Sequence, residues 1–276
     1  MNSAQKLLVI AIAFAPIGAA AFPLGGPWLR DLDEGFYRSR QEQKNTLLVF
    51  RIEGQRSCTQ LERELRESSD AKRVFDAMTP ILLDVYDHAD YARRRCVKSL
   101  PTSIVLDPQG RELDRIEGFF DLADYLASID KAVDPAQNFR GKFGAARETH
   151  ADHEQQRNWL KSLLERGMRD DGLEWINWLI SKTPEEEVEW AQELEHLRVD
   201  FYIADLQWQK AADELDRFYA KYPRHESRED GYMLKANCLI NLNDYEKARA
   251  VLKEFIEQFP TSPKVDEARK LIEYTF

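Results

Sequence analysis

Three cysteines carry most of the chemistry that this 276-residue sequence offers: Cys58, Cys96 and Cys238. A thiol attacks as its thiolate, two thiols that meet form an exchange pair, and an odd count leaves at least one without an internal partner. Cys58 ends the stretch Gly54-Gln55-Arg56-Ser57-Cys58, just after an apolar run, and Cys96 follows Arg93, Arg94 and Arg95. Three readings of this pair stay open: a Cys58–Cys96 disulfide, structural or redox-active; a solitary reactive thiol at Cys58; or two small apolar fillers, free Cys being among the most buried residue types. The arginine run would favour a nearby thiolate, but a solvated helix end is the preferred reading. Cys238 falls among core positions of a helical pattern and reads as packing. His150 and His153 flank Asp152 at a spacing that permits metal binding on a helix, yet no further Cys or His ligand is near, so neither a metal nor a cofactor is expected. Asp84 and Asp107 close strands and read as turn residues. No phosphate-binding glycine loop, zinc-protease helix or nucleophile elbow is present.

The elements that must position these residues fall into two halves. Thr46 to Ile52 is a continuous β-branched and aromatic run, the pattern of a strand buried on both faces. Helical spacing follows over Cys58 to Ser68 and again over Val74 to Met78; Pro80 to Val85 is a second strand and His88 to Cys96 a further helix. Thr102 to Leu106 is a third strand, turned at Pro108-Gln109-Gly110 into its hairpin partner Glu112 to Glu117, and Phe119 to Val133 closes the unit as a helix. The order implies a mixed sheet with flanking helices, an α/β domain over residues 22–133.

This half resembles the thioredoxin fold, most nearly the subgroup that includes the periplasmic C-terminal domain of bacterial transmembrane disulfide reductases. The order of elements, the triplet Leu100-Pro101-Thr102 before a strand and the segment GQRSCTQLERELRES carry the resemblance, over roughly residues 30–133. It implies a cis Pro101 facing the site, a groove at Gln55, Leu100, Pro101 and Thr102 that binds peptides, and catalytic roles for Cys58 and Cys96 if either is redox-active. Family members place Cys-x-x-Cys at the start of the first long helix, where the helix dipole favours a thiolate. Counted from Phe50, Gln55 takes the nucleophile position and Cys58 the resolving one, so ordinary dithiol exchange fails. Shifting the register by three gives Cys58 the nucleophile position, at the cost of a longer loop and of Leu61 leaving the apolar stripe.

Residues 151–276 form an all-α half built on a repeat. Gln207 to Pro223 aligns with Asp244 to Pro260 at an offset of 37, matching Ala211 to Ala248, Leu215 to Leu252, Phe218 to Phe255 and Pro223 to Pro260. Such a period means stacked helical hairpins, and the spacing of Tyr232, Ala236, Leu239, Ala248, Leu252, Phe255 and Pro260 resembles a tetratricopeptide repeat. A preceding repeat spans about Glu189 to Tyr222, and a weaker copy pairs Asp152 to Gly167 with Gly172 to Lys182. Trp159, Trp175, Trp178 and Trp190 gather there; an exposed pair among them would mark an interaction site. Between the halves, Asp134 to Gly144 is rich in breakers, and residues 134–150 read as a linker.

Composition sets the compartment and the partners. Lys6, the apolar run from Leu7 to Ile17 and Ala19 to Ala21 have the three parts of a secretory signal over residues 1–21, shorter than a membrane span. Export, most simply to a periplasm, is expected, with no membrane association after cleavage and an environment where disulfides persist. The formal net charge is -10, and residues 147–276 hold -9 of it. That balance excludes a generic nucleic-acid binder. The expectation is an adaptor or assembly factor engaging other exported proteins or peptides; the alternative is an oxidoreductase or thiol-dependent chaperone using Cys58, alone or with Cys96.

Overall fold

The computed structural model describes residues 28–148 and 152–274; the expected signal segment and His150 lie outside them. A first helix that the sequence pattern does not announce, α1 (Leu32–Glu42), starts where the Asp31 carboxylate accepts the Glu34 N–H at 2.8 Å. The sheet then assembles from β1 (Asn45–Arg51), β2 (Met78–Asp84), β3 (Thr102–Leu106) and β4 (Glu112–Glu117) in the order β2-β1-β3-β4. The β1–β2 pair is parallel; β1–β3 and β3–β4 are antiparallel.

The unbroken apolar run of β1 follows from two-sided burial. Leu47 and Val49 pack with Leu61 and Leu65 of α2 (Arg56–Glu67), Val74 of α3 (Ser69–Ala77) and Leu126 and Ile129 of α5 (Leu122–Val133). Leu48 and Phe50 face the other side, with Ile81, Leu83, Ala92 of α4 (Ala89–Arg94) and, less deeply, Phe36 of α1. Side chains alternate across a strand, so a central strand between two helical layers must be apolar at both parities.

The second half is helical throughout its described residues. It runs through α6 (Phe139–Glu148), α7 (His153–Glu165), α8 (Arg169–Lys182), α9 (Val188–Ala204), α10 (Trp208–Lys221), α11 (Arg228–Asn241), α12 (Tyr245–Gln258) and α13 (Val265–Tyr274). Three apolar clusters follow one another along the stack, centred on Trp175, Leu215 and Leu252. Small residues let the helices cross: a Cβ on Gly172 would stand 2.0 Å from the Phe201 ring.

The stretch expected as a linker, 134–150, instead carries α6, because Asn138 closes its start. The Asn138 side chain accepts the Gly141 N–H at 2.8 Å and donates to the Ala132 carbonyl at 3.2 Å. Phe143 then inserts into the first helical cluster. Where the halves meet, charge is buried. Glu112, 1% exposed, takes a two-pronged grip from Arg115 at 2.8 and 2.7 Å, and Arg115 also donates to the Arg166 carbonyl. Arg166 returns to Asp114 at 2.9 Å, and Arg140 joins the Glu112 carbonyl at 2.6 Å to the Asp171 carboxylate at 2.7 Å. Paired guanidinium–carboxylate forks of this kind fix orientation as well as distance.

Candidate functional site

The motif loop is shaped by the end of β1 and the start of α2. Gln55 is the N-cap residue of α2, and Cys58 is its third residue. Leu100–Pro101 is a cis peptide, and the Pro101 carbonyl accepts the Gly118 N–H at 2.7 Å. Across the loop the Gln55 amide occupies the gap: its Nε2–H donates to the Leu100 carbonyl at 3.4 Å, and its Oε1 accepts the Cys58 thiol at 3.2 Å. The Ser57 hydroxyl donates to the same Leu100 carbonyl at 3.4 Å.

Cys58 is 1% exposed, and burial pushes its thiol pKa up; the Ile52 backbone is the main opposition, Glu62 adds to the rise, and Arg51 and Ser57 oppose it more weakly. A protonated, enclosed thiol is a poor nucleophile. Cys238 is enclosed among repeat helices, its thiol raised to about 11 by desolvation. All three cysteines are free.

The structure does not join Cys58 to Cys96. Cys96, in the left-handed region at φ 50°, turns toward the helical half, where its Sγ lies 3.2 Å from Arg169 Nη2 and 3.6 Å from the Leu164 carbonyl oxygen. Arg169 is itself buried and also donates to the Arg94 and Ala204 carbonyls. The thiol thus belongs to the junction between halves. Of the flanking arginines, Arg93 and Arg94 are exposed, as at a solvated helix end, while Arg95 is half-buried and donates to the Tyr91 hydroxyl at 3.2 Å.

The groove set divides on exposure. Gln55 is exposed and Leu100 half-buried, whereas Pro101 and Thr102 are buried, and the Thr102 hydroxyl donates to the Ser99 carbonyl at 2.6 Å. Thr102 is therefore a structural support of the loop and not a contact surface. Sequence reasoning missed Phe120, which is 88% exposed two residues after the Gly118 that bonds Pro101; the signal was the Gly-Phe-Phe break at the end of β4. The aspartates behave as turn residues: Asp84 accepts the Glu53 and Tyr86 N–H groups, and Asp107 those of Gln109 and Arg111. His153 opens α7, pairs with Glu187 at 3.0 Å and stacks on Trp190.

Residues 32–133 match the family model of a thioredoxin-like domain, and residues 230–262 match that of a tetratricopeptide repeat. The first half is a thioredoxin-like domain, and the second carries a tetratricopeptide repeat. No curated protein matches the chain. A solved structure titled DsbH Oxidoreductase is similar at 19% identity, covering 48% of this chain and 94% of its own, with a TM-score of 0.34, a likeness that carries no functional argument. Within the thioredoxin-like domain, Gln55, Cys58 and Pro101 converge on one loop pair while Cys96 faces away from it. Within the repeat, α11 and α12 form the hairpin, and Ala236, Ala248 and Leu252 are buried at its crossing. Among the described residues, no helix is long and apolar enough to cross a membrane.

Proposed function

We propose that the protein is an exported, non-enzymatic adaptor or assembly factor that binds other exported proteins or peptides. One face is the rim of the thioredoxin-like groove at Gln55, Leu100 and Phe120, and the other is the helical-repeat surface. The observation that carries this reading is Gln55: at the helix N-cap, where the fold's nucleophile would stand, an amide bridges the Cys58 thiol and the Leu100 carbonyl. An amide supplies no leaving thiolate, so the loop lacks the first of the two sulfurs that exchange requires. Exposed Phe120 and half-buried Leu100 suit contact with apolar side chains of a bound segment.

The competing oxidoreductase or thiol-chaperone reading needs an accessible thiolate. Cys58 is enclosed with its pKa raised, which disfavours it; Cys96 is partly accessible but engaged with Arg169.

Substituting Gln55→Cys tests the reading by restoring the missing sulfur. The expected result is that the wild-type protein fails to reduce insulin with a thiol donor, while Q55C forms an internal disulfide with Cys58 and gains that activity. Turnover by the wild-type protein, lost on Cys58→Ala, would overturn the adaptor reading.

A further inference from the structure

A cavity of about 920 Å³ lies between α9 and the turn that joins α10 to α11, and two imidazoles meet on its wall. His196 of α9 and His225 of the turn lie nearly parallel, at 18° with ring centres 6.4 Å apart. Each meets the buried Phe218 ring of α10 edge to face, at 5.5 and 5.0 Å. His225 therefore touches α9 and α10 at once.

The hydrogen bonds of the turn fix which nitrogen of His225 carries the hydrogen. Ser227, the N-cap residue of α11, donates its backbone N–H to His225 Nδ1 at 3.2 Å. A backbone N–H only donates, so Nδ1 is an acceptor and the ring is neutral with its hydrogen on Nε2. The Ser227 Oγ stands 2.8 Å from the same nitrogen, and the Tyr219 hydroxyl donates to the Ser227 carbonyl at 2.7 Å. Through Ser227, His225 and Tyr219 together hold the entrance to α11, the first helix of the matched repeat.

A proton on Nδ1 sets a donor against a donor, and imidazole is the side chain that ordinarily changes charge between about pH 5 and 8. The charges around the ring decide where it then goes. Within the turn, Arg224 lines the same cavity and Arg228 donates to the Pro223 carbonyl at 2.7 Å, so two guanidiniums oppose a positive ring. At the end of α10, Lys221 and the Tyr222 hydroxyl are both engaged with Glu195. On α9, burial holds the His196 imidazole below its ordinary 6.5 against the pull of Asp200, and Glu193 is already held by Arg157. On α11, Glu229 accepts from the Ser262 hydroxyl and Asp230 pairs with Lys264. Glu189 and Glu226 line the cavity and have no ion-pair partner among the described residues.

We propose that His225 is a proton-operated latch on the repeat: neutral, it holds the Ser227 N–H and keeps the turn closed on α9; protonated at Nδ1, it releases Ser227, moves toward Glu189 and Glu226, and frees the start of α11. One ring with two alternative sets of partners is the bistable element that a pH switch requires. The latch is a property of the turn and holds whether or not the helical half binds a partner.

Nuclear magnetic resonance on the full chain tests it. Near pH 7.5, nitrogen–proton correlations of the His225 ring should show the Nε2–H tautomer. On lowering the pH to about 5, amide protection over residues 227–231, taken relative to the intrinsic exchange rate at each pH, should fall roughly five- to tenfold, while amides of α8 keep theirs. His225→Asn puts an amide oxygen where Nδ1 stands and does not titrate, so H225N should keep its protection at both pH values, whereas His196→Gln should leave the wild-type loss in place. An Nδ1–H tautomer near neutral pH, protection that does not change with pH, an equal fall in α8, or the same loss in H225N would overturn the latch. The tautomer and the wild-type protection need no variant, so they decide the matter even if H225N does not fold.

Discussion

Cys58 and Cys96 lie in the same domain, and their surroundings are opposite in kind. Cys58 sits under the motif loop against apolar side chains, its thiol donating to a neutral amide, with burial holding the proton on. Cys96 sits at the junction of the two halves, beside a buried guanidinium and a network of Glu112, Arg115, Arg166, Asp114, Arg140 and Asp171. In a working dithiol site the positive charge and helix dipole would converge on the motif thiol. Here charge is concentrated where the domains dock, and the motif loop is closed by a side-chain amide. The difference teaches where this domain concentrates its buried ion pairs: on the face that meets the helical half.

The largest effect should come from breaking the junction. Glu112→Ala leaves the buried Arg115 guanidinium without its carboxylate and is expected to cost about 3–5 kcal/mol in urea unfolding, since removing one partner strands the other's charge. A loss below about 1 kcal/mol would mean that the junction does not hold the halves together. On the motif side the contrast predicts dependence on packing instead. Leu61→Ala beneath α2 should cost about 2–5 kcal/mol, the range for a fully buried leucine.

A smaller effect concerns pH in the repeat half. Burial holds the His196 imidazole below its ordinary 6.5, with His225 adding to the lowering and Asp200 opposing it. The unfolded chain therefore takes up that proton first, so stability falls as pH drops through about 6.5, with a slope no steeper than about 1.4 kcal/mol per pH unit. Asp200, its carboxyl raised by burial, works in the opposite direction nearer its ordinary 3.8. Unfolding of His196→Gln between about pH 5.5 and 7 should lose the histidine contribution to the slope; an unchanged slope would remove His196 from the account. The smallest effect should be Gln55→Ala, about 1 kcal/mol or less, because the Gln55 side chain is exposed and its bond to the Leu100 carbonyl is long at 3.4 Å. A loss several times larger would mean that the amide bridge is structural to the whole loop.

Much of this was legible in sequence because it depends on local pattern. The apolar run of β1 announces a strand covered on both faces, and the offset of 37 between Ala211 and Ala248 announces the stacked hairpins. The helix α1 was not legible because its buried positions, Gly35 and Ser39, are not hydrophobic. Helix α6 was hidden by glycines that read as breakers, although Gly141 is there because a Cβ would collide with the Pro135 carbonyl. The junction was invisible for a different reason. Arg166 meets Asp114 across 52 residues and Arg169 meets Cys96 across 73, separations that no spacing rule connects. That is why Cys96 could be considered a partner for Cys58, when its environment belongs to the other half of the chain.

The central claim is that this motif does not run dithiol exchange, and differential alkylation with mass spectrometry on the native protein tests it most directly. The account predicts that Cys58 and Cys238 resist the reagent until the protein is denatured, and that no Cys58–Cys96 bridge is found. A Cys58–Cys96 disulfide that opens with reductant and closes again with oxidant would contradict it.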